Sequence, residues 1–265
     1  MNKSMMLYEP PGPTAARRNE VYTWAGRIFV FGLLAAIVLR LAERDQFDAA
    51  HWAIFAHVSV WRFLFVGLLA TLTAAALSAV TSLALAFPIA FGRLSGHIWL
   101  RKAAEIYIAF FRAVPLLLLI LFMTVLLPVM GFAWPGLAFL VIAMTLHHSA
   151  LTAEILRSGI LSLERGQREA ALSIGMTDAQ SMVLIILPQA LRRMLPLLVG
   201  QLLSIVQDTS LGYIIPYNEL LRSSQLISSY APETLLSSAF ISTMMYGIIS
   251  AMLLYVQRRL HTSGH

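Results

Sequence analysis

Six apolar stretches, each reaching about the 20 residues that a helix needs to cross a bilayer, run through this chain near residues 24–43, 64–92, 105–130, 133–153, 190–216 and 234–256. Hydrophobic residues make up 58% of the 265, charged residues only 12%, and the mean hydropathy is +0.76, which excludes a soluble domain. The expectation is an all-α integral-membrane protein of about six transmembrane helices. The second and fifth stretches are long, and are expected to be tilted, broken or to begin as interfacial helices. The first 23 residues are polar and Pro-rich (Pro10, Pro11, Pro13) and hold Arg17 and Arg18. They lack the shape of a cleaved signal peptide, because the tail is long and no small-residue cleavage site follows the apolar run. No internal repeat or low-complexity stretch stands out. The absence of cysteine excludes disulfides and thiolate metal sites.

Between the fourth and fifth stretches lies a polar interruption, residues 162–188. Gln167 to Ile174 are mostly good helix formers, so a short helix is expected there. Gly175 supplies the left-handed position that ends such a helix. Thr177, with Gln180 three residues on, reads as a capping box that starts the next one. The predicted unit is helix, glycine elbow, helix, with a small apolar face of Ala170, Ala171 and Ile174 at helical spacing. A knob this short is not stable alone and suits insertion into a groove on a partner. The bland alternative is an ordinary interfacial loop between two spans.

The net charge of +6 is not a nucleic-acid footprint, since Lys and Arg fall in alternate loops as the positive-inside rule requires. With the N-terminus cytoplasmic, 14 of the 19 Lys and Arg lie inside, among them Arg93, Arg157, Arg192, Arg193, Arg258 and Arg259. Outside fall Arg40, Arg44, Arg62 and Arg222, beside the acids Glu43, Asp45 and Asp48 of the first external loop, while Arg112 lies within a span. The bias places both termini and the loop at Glu169 in the cytoplasm.

No Walker-type glycine loop, GxSxG or HExxH occurs. The seven histidines show no ligand spacing with acidic residues, so no metal site is expected. Adjacent His147 and His148 point in different directions on a helix and read as hydrogen-bonding groups between spans. The chain does no ATP chemistry and is not expected to be an enzyme. The 12 methionines are scattered, as core filler is.

Glu169-Ala170-Ala171, then Gly175, Ile185 and Leu187-Pro188 at their observed spacing, resemble the EAA loop of the membrane subunits of bacterial ABC importers, the loop that docks on the ATPase. Gly166-Gln167-Arg168 and Pro188-Gln189-Ala190 narrow the resemblance to the polar amino-acid permease branch. It extends over roughly Phe63 to Gln257. Gly67-Leu68-Leu69-Ala70-Thr71-Leu72 looks like the opening of that family's core domain. Phe111-Arg112-Ala113-Val114-Pro115-Leu116-Leu117, Ala153 to Ile160 and Gln207-Asp208-Thr209-Ser210-Leu211 look like its further signatures. The chain departs from the family at Ala113 (usually Gly), Val114 (usually Thr) and Gln207 (usually Lys), and no Gln closely follows Leu117, which weakens any transfer of substrate contacts. The tail Leu7 to Pro13, with the additional first span, is similar to actinobacterial glutamate permease subunits.

The resemblance implies a type I importer-like core of five helices over 62–257, with a cytoplasmic docking loop at 162–188. It also implies an extra first helix and external loop at 24–61 and cytoplasmic tails at 1–23 and 258–265. The ATPase-docking residues would be Gly166, Gln167, Glu169, Ala170, Ala171, Ile174 and Gly175. Implied partners are a dimer of ABC ATPase subunits, a second permease subunit, identical or related, an extracytoplasmic amino-acid-binding protein and the lipid bilayer. ATP and Mg would sit on the ATPase, with no cofactor on this chain.

Candidates for a substrate pathway come from the cost of ionisable groups inside a span. Arg112 lies three residues before Pro115 in an apolar run. It either faces the pathway, where it suits a carboxylate, or snorkels and braces a neighbouring helix. Gln201, Ser204 and Asp208 recur at i, i+3 and i+7 on one helix face, and Thr209 and Ser210 extend the patch. Such a stripe lines a pathway or glues helices, and gluing suits Thr209. Arg112 and Asp208 lie in segments of the core bundle that could approach each other. Glu154 is expected to pair with a loop arginine. The reading is a permease subunit for a polar amino acid, glutamate or another acidic one first. The alternative, a secondary transporter driven by an ion gradient, needs corresponding halves with broken helices that are not evident here.

Overall fold

A computed structural model of the chain describes residues 13–163 and 165–262, and every regular element among them is helical. The chain divides into two compact units, Met1–Ile54 and Phe55–His265. In the first, helix α1 (Pro13–Ala42) carries a membrane-length apolar stretch, Arg18–Ala42, none of it buried. Most of the N-terminal tail segment, Lys3 included, and the last three residues lie outside the described residues.

The second unit contains α2 (Val58–Leu94), α3 (Ile98–Ala113), α4 (Leu116–Val129), α5 (Gly136–Leu161), α6 (Arg165–Ser173), α7 (Asp178–Gln180), α8 (Leu187–Asp208), α9 (Leu220–Tyr230) and α10 (Leu235–Thr262). Among the described residues five helical stretches are long and apolar enough to cross a membrane, or six if α3 and α4 count as one broken span.

Residues 105–130, expected as a single span, are two helices bent by 101°. The cause is Pro115. It has no N–H for the carbonyl of Phe111 and disfavours helical backbone at the residue before it. Val114 accordingly turns extended, at φ −75° and ψ 123°. The carbonyl of Phe111, left without its helical donor, is taken by His147 Nδ1 of α5 at 2.8 Å. This fixes the His147 tautomer with the hydrogen on Nδ1.

Helices α2 and α5 form the centre of the unit. Small residues face each other along their seam: Ala74, Ala75, Ser78, Ser82, Ala86 and Ala90 of α2 against Ala143, Ala150 and Ala153 of α5, all buried. Small side chains let spans approach closely in lipid, where the hydrophobic effect does not drive association. Thr81 and Thr145 add a hydroxyl pair at 2.6 Å. One apolar cluster gathers Leu119, Ile120, Phe139, Leu140 and Met144. A second gathers Ile89, Ile108, Leu156, Ile186 and Met194 at the end that carries α6 and α7. At the opposite end α9, absent from the sequence expectation, packs on α2 and α10.

Candidate functional site

The polar loop folds by the signals in its sequence. The short helix forms over Arg165–Ser173 rather than Gln167–Ile174. Gly175 takes φ +86°, its N–H donates to Leu172 O at 3.0 Å, and the N–H of Met176 donates to Ala171 O at 3.2 Å. This pair of bonds is a Schellman closure, which ends a helix through a left-handed glycine. Thr177 then caps α7, with Gln180 N donating to Thr177 Oγ1 (3.2 Å) and Thr177 N to Gln180 Oε1 (2.9 Å). The next six residues, Ser181–Ile186, widen into a π-helical turn. Pro188 offers no N–H to Leu184 O, so the regular ladder is broken where that turn forms. One expectation is corrected here: the three apolar residues do not share an outer face. Ala171 is buried against the chain, whereas Ala170 is exposed and Ile174 is 76% exposed. Gly166, Gln167 and Glu169 are exposed too, and Gln167 Oε1 lies 3.5 Å from Gln189 Nε2.

Behind the loop, ion pairs tie the helix ends. Arg93 of α2 bonds Glu105 of α3 and reaches Glu154 of α5 at 3.6 Å. Glu154 also accepts from Arg157 at 2.9 Å. Its partners are therefore helix arginines, since Arg157 lies one turn along α5 and Arg93 ends α2.

Further along the bundle, the polar stripe of α8 divides. His148 of α5 is 1% exposed and bridges two of its members. Gln201 Nε2 donates to His148 Nδ1 at 2.8 Å, which leaves the hydrogen on Nε2. That nitrogen sits 3.3 Å from Asp208 Oδ2, within ion-pair reach but off the line of a hydrogen bond. Asp208 itself is 37% exposed, so one face of the carboxylate stays open. Ser204 is exposed and donates to Gly200 O at 3.4 Å. Thr209 is buried with its hydroxyl on Val206 O (2.7 Å), and Ser210 bonds Gln207 O (2.8 Å). Gln201 also borders an apolar groove of about 250 Å³ between α2, α5 and α8, where Thr152 is the other polar side chain.

Arg112 is not brought to Asp208. It lies in the last turn of α3, exposed beside the bend, with no partner among the described residues. Asp208 faces His148 instead, because α5 stands between the bend and α8: His147 meets α3 while His148 meets α8.

Sequence reasoning missed Glu219. It is fully buried and caps α9, accepting from Leu221 N (2.7 Å), Arg222 N (2.6 Å) and Tyr246 Oη (2.7 Å). Burial pushes its carboxyl above the usual range, and the three donors pull the other way. The neighbouring Tyr217, whose hydroxyl donates to Ala70 O at 2.6 Å, is pushed up to about 12 by burial and by Glu219. The available signal was an acid placed just ahead of a helical run, a cap position.

Residues 83–261 match the family model described as "Binding-protein-dependent transport system inner membrane component". The chain belongs to that family. Its relatives include the glutamate transport system permease protein GluD of Corynebacterium glutamicum, 33% identical over 224 residues, 83% of this chain and 82% of that protein. The probable glutamine ABC transporter permease protein GlnP of Bacillus subtilis is 34% identical over 209 residues, 75% of this chain and 92% of GlnP. Among solved structures, an amino acid ABC transporter crystallised with histidines superposes with a TM-score of 0.72 at 26% identity, over 79% of this chain and 97% of that one. The family is one of transport components, not enzymes, and its members are multi-pass membrane proteins working with a binding protein and an ATPase.

Proposed function

We propose that this chain is the permease subunit through which an ABC importer moves a polar amino acid, glutamate or another acidic one, across the cytoplasmic membrane. The observation that carries the reading is the loop at Gly166–Gly175. A short helix closed by a Schellman turn, capped on its far side and left with Ile174 outward, suits a groove on a partner ATPase. Gly166, Gln167, Glu169, Ala170, Ile174 and Gly175 are the docking residues in this reading, with Ala171 as their inner anchor. The ATPase closes on ATP and the loop transmits that motion. The spans then rock about a mid-bundle pathway bordered by Gln201, Ser204, Asp208 and Ser210, with Thr209 buried behind them and Arg112 at the α3–α4 bend. A broken span beside a buried polar cluster is what transporters use at midplane sites.

Both termini lie in the cytoplasm, in keeping with the distribution of Lys and Arg. A second permease subunit, identical or related, completes the pathway, and an extracytoplasmic binding protein delivers the substrate. Glutamate is favoured by the relative GluD, and glutamine, which GlnP is named for, is the competing substrate. The test is purification in mild detergent followed by reconstitution. A co-eluting ATPase and ATP-dependent uptake of labelled glutamate support the reading. Uptake driven by an ion gradient in this chain alone refutes it.

A further inference from the structure

Helix α9 is held by polar contacts as well as by hydrocarbon, since Leu220 and Ile227 are buried beside its serines. Its buried residues, Leu220, Ser223, Ser224 and Ile227, belong to neither apolar cluster. Toward α10, Ser242 Oγ donates to Ser224 Oγ at 3.2 Å. Toward α2, Leu220 N donates to Thr71 Oγ1 at 3.1 Å, and Thr71 Oγ1 lies 3.4 Å from Tyr246 Oη. Tyr246 in turn donates to Glu219, whose other two donors are amides of α9 itself. Among the described residues Glu219 has no cation within ion-pair reach, since Arg222 offers it only a backbone N–H. One carboxylate thus joins α9 to α10 directly and to α2 through Tyr246 and Thr71.

The links on either side of α9 are not α-helical. Asp208 runs straight into a 3₁₀ turn, Thr209–Ile214, followed by irregular backbone to Glu219, and Ala231 breaks the helix on the other side at φ −128°, ψ 85°. A helix of 11 residues is too short to span and too short to be stable alone. Besides its apolar anchors Leu220 and Ile227 it is held by hydrogen bonds that can be exchanged for water, and the link over residues 209–219 joins it to the polar cluster of α8. Hinges are short segments at the ends of elements that absorb backbone change, and α9 has a non-α-helical link on each side.

We propose that α9 is a hinged cap over the pathway end opposite the α6–α7 loop, and that the Glu219–Tyr246–Thr71 network is the catch that holds it closed. This rests on the reading of Asp208 as a pathway residue. Glu219 is a positioning residue: it touches no substrate and acts through Tyr246 and the α9 amides. Its three partners all donate, so an acceptor-only carboxylate fits the site, and an amide in its place turns an N–H toward a donor.

The chain has no cysteine, so Ser224→Cys gives a single reporter of the α9–α10 seam, where Ser224 is 3% exposed, and Tyr230→Cys, at 87% exposure, gives a reference that labels throughout. The measurement is the rate of maleimide labelling of this chain in the full complex with its ATPase in proteoliposomes. Position 224 is expected to label slowly at rest and quickly when ATP and the binding protein are added. Tyr246→Phe is expected to raise the resting rate about tenfold, as loss of one hydrogen bond to a charged group implies, with unchanged yield of folded complex. Glu219→Gln is expected to do the same. Protection of position 224 under every condition overturns the cap. Parental labelling in both variants, or faster labelling only in step with lost yield, overturns the catch. Normal uptake by Asp208→Asn, with position 224 still gated by ATP, refutes the pathway assignment and leaves the cap standing.

Discussion

Gly175→Val isolates the backbone contribution to the α6–α7 elbow. A Cβ built at Gly175 has nothing within 4 Å, so the substitution meets no clash, and its effect is conformational strain at φ +86°. A left-handed residue with a side chain costs about 1–2 kcal/mol, and a β-branched one sits at the upper end of that range. Two kcal/mol is a shift of about thirtyfold in the ratio of closed to open elbow. Helix α6 has nine residues and draws much of its order from the two Schellman bonds, which fail when Gly175 leaves the left-handed region. The series Gly175→Asn, Gly175→Ala and Gly175→Val orders the strain, because Asn tolerates this region best. In proteoliposomes with the ATPase and the binding protein, uptake and stimulated ATP hydrolysis should fall in that order. Yield of inserted chain should stay level, since the elbow is outside the core clusters. Full coupling in the Val variant refutes the elbow as a transmission element. Equal damage by Asn and Val refutes backbone strain as the cause.

Cysteines placed at Ser162 and at Ala50 should label from opposite sides of the membrane. Reaction at position 162 with an impermeant reagent added outside overturns the orientation in which the α6–α7 loop is cytoplasmic. Arg112→Ala and Asp208→Asn should each cut uptake strongly while complex yield stays near normal. A parallel loss of yield instead marks Asp208 as a brace for His148 and Arg112 as a brace at the bend. Gly136→Ala should destabilise the second unit by about 1–3 kcal/mol, because the new Cβ would lie 2.5 Å from the backbone oxygen of Pro216. Gly159→Ala should cost at least as much, since its Cβ would meet Cγ and Sδ of Met194, which is fully buried in the second apolar cluster with no room to withdraw. Thermal aggregation midpoints of the two variants in detergent check the order.

Local signals were the legible part of this chain. Gly175, Thr177 and Gln180 act within one or two helical turns, so residue types alone specify the elbow and the cap, and the structure differs by only a few residues at the ends of α6. Apolar run length located the spans for the same reason. The α3–α4 bend was written in Pro115, but hydropathy windows read through a proline that sits among Phe, Val and Leu. Glu219 was hidden because its role depends on Tyr246 and Thr71, which are 27 residues ahead and 148 behind and come together only on folding. The Arg112–Asp208 approach failed on geometry. Two segments of one bundle can each carry an ionisable group and still present them to opposite sides of a third helix, here α5 through His147 and His148.

The two ends of the second unit are joined by different chemistry, and that difference bears on how such a bundle moves. At the α6–α7 end, Arg93 holds carboxylates of α3 and α5, while Ile186, Ala190 and Met194 of the loop and α8 sit in the same apolar cluster as Leu156 and Ile160. A push on the loop is therefore carried into α2, α3 and α5 together, since packed hydrocarbon is dense and transmits strain. At the far end, α9 buries Leu220 and Ile227 and is otherwise held by hydroxyls and one carboxylate, bonds that can be exchanged for water one at a time. Between them, α3 and α4 meet at a bend whose free carbonyl is fixed by a side chain of another helix rather than by its own ladder. Motion started at the rigid end would thus be expressed as displacement at the bend and at α9, which hydrogen bonds rather than ion pairs join to their neighbours.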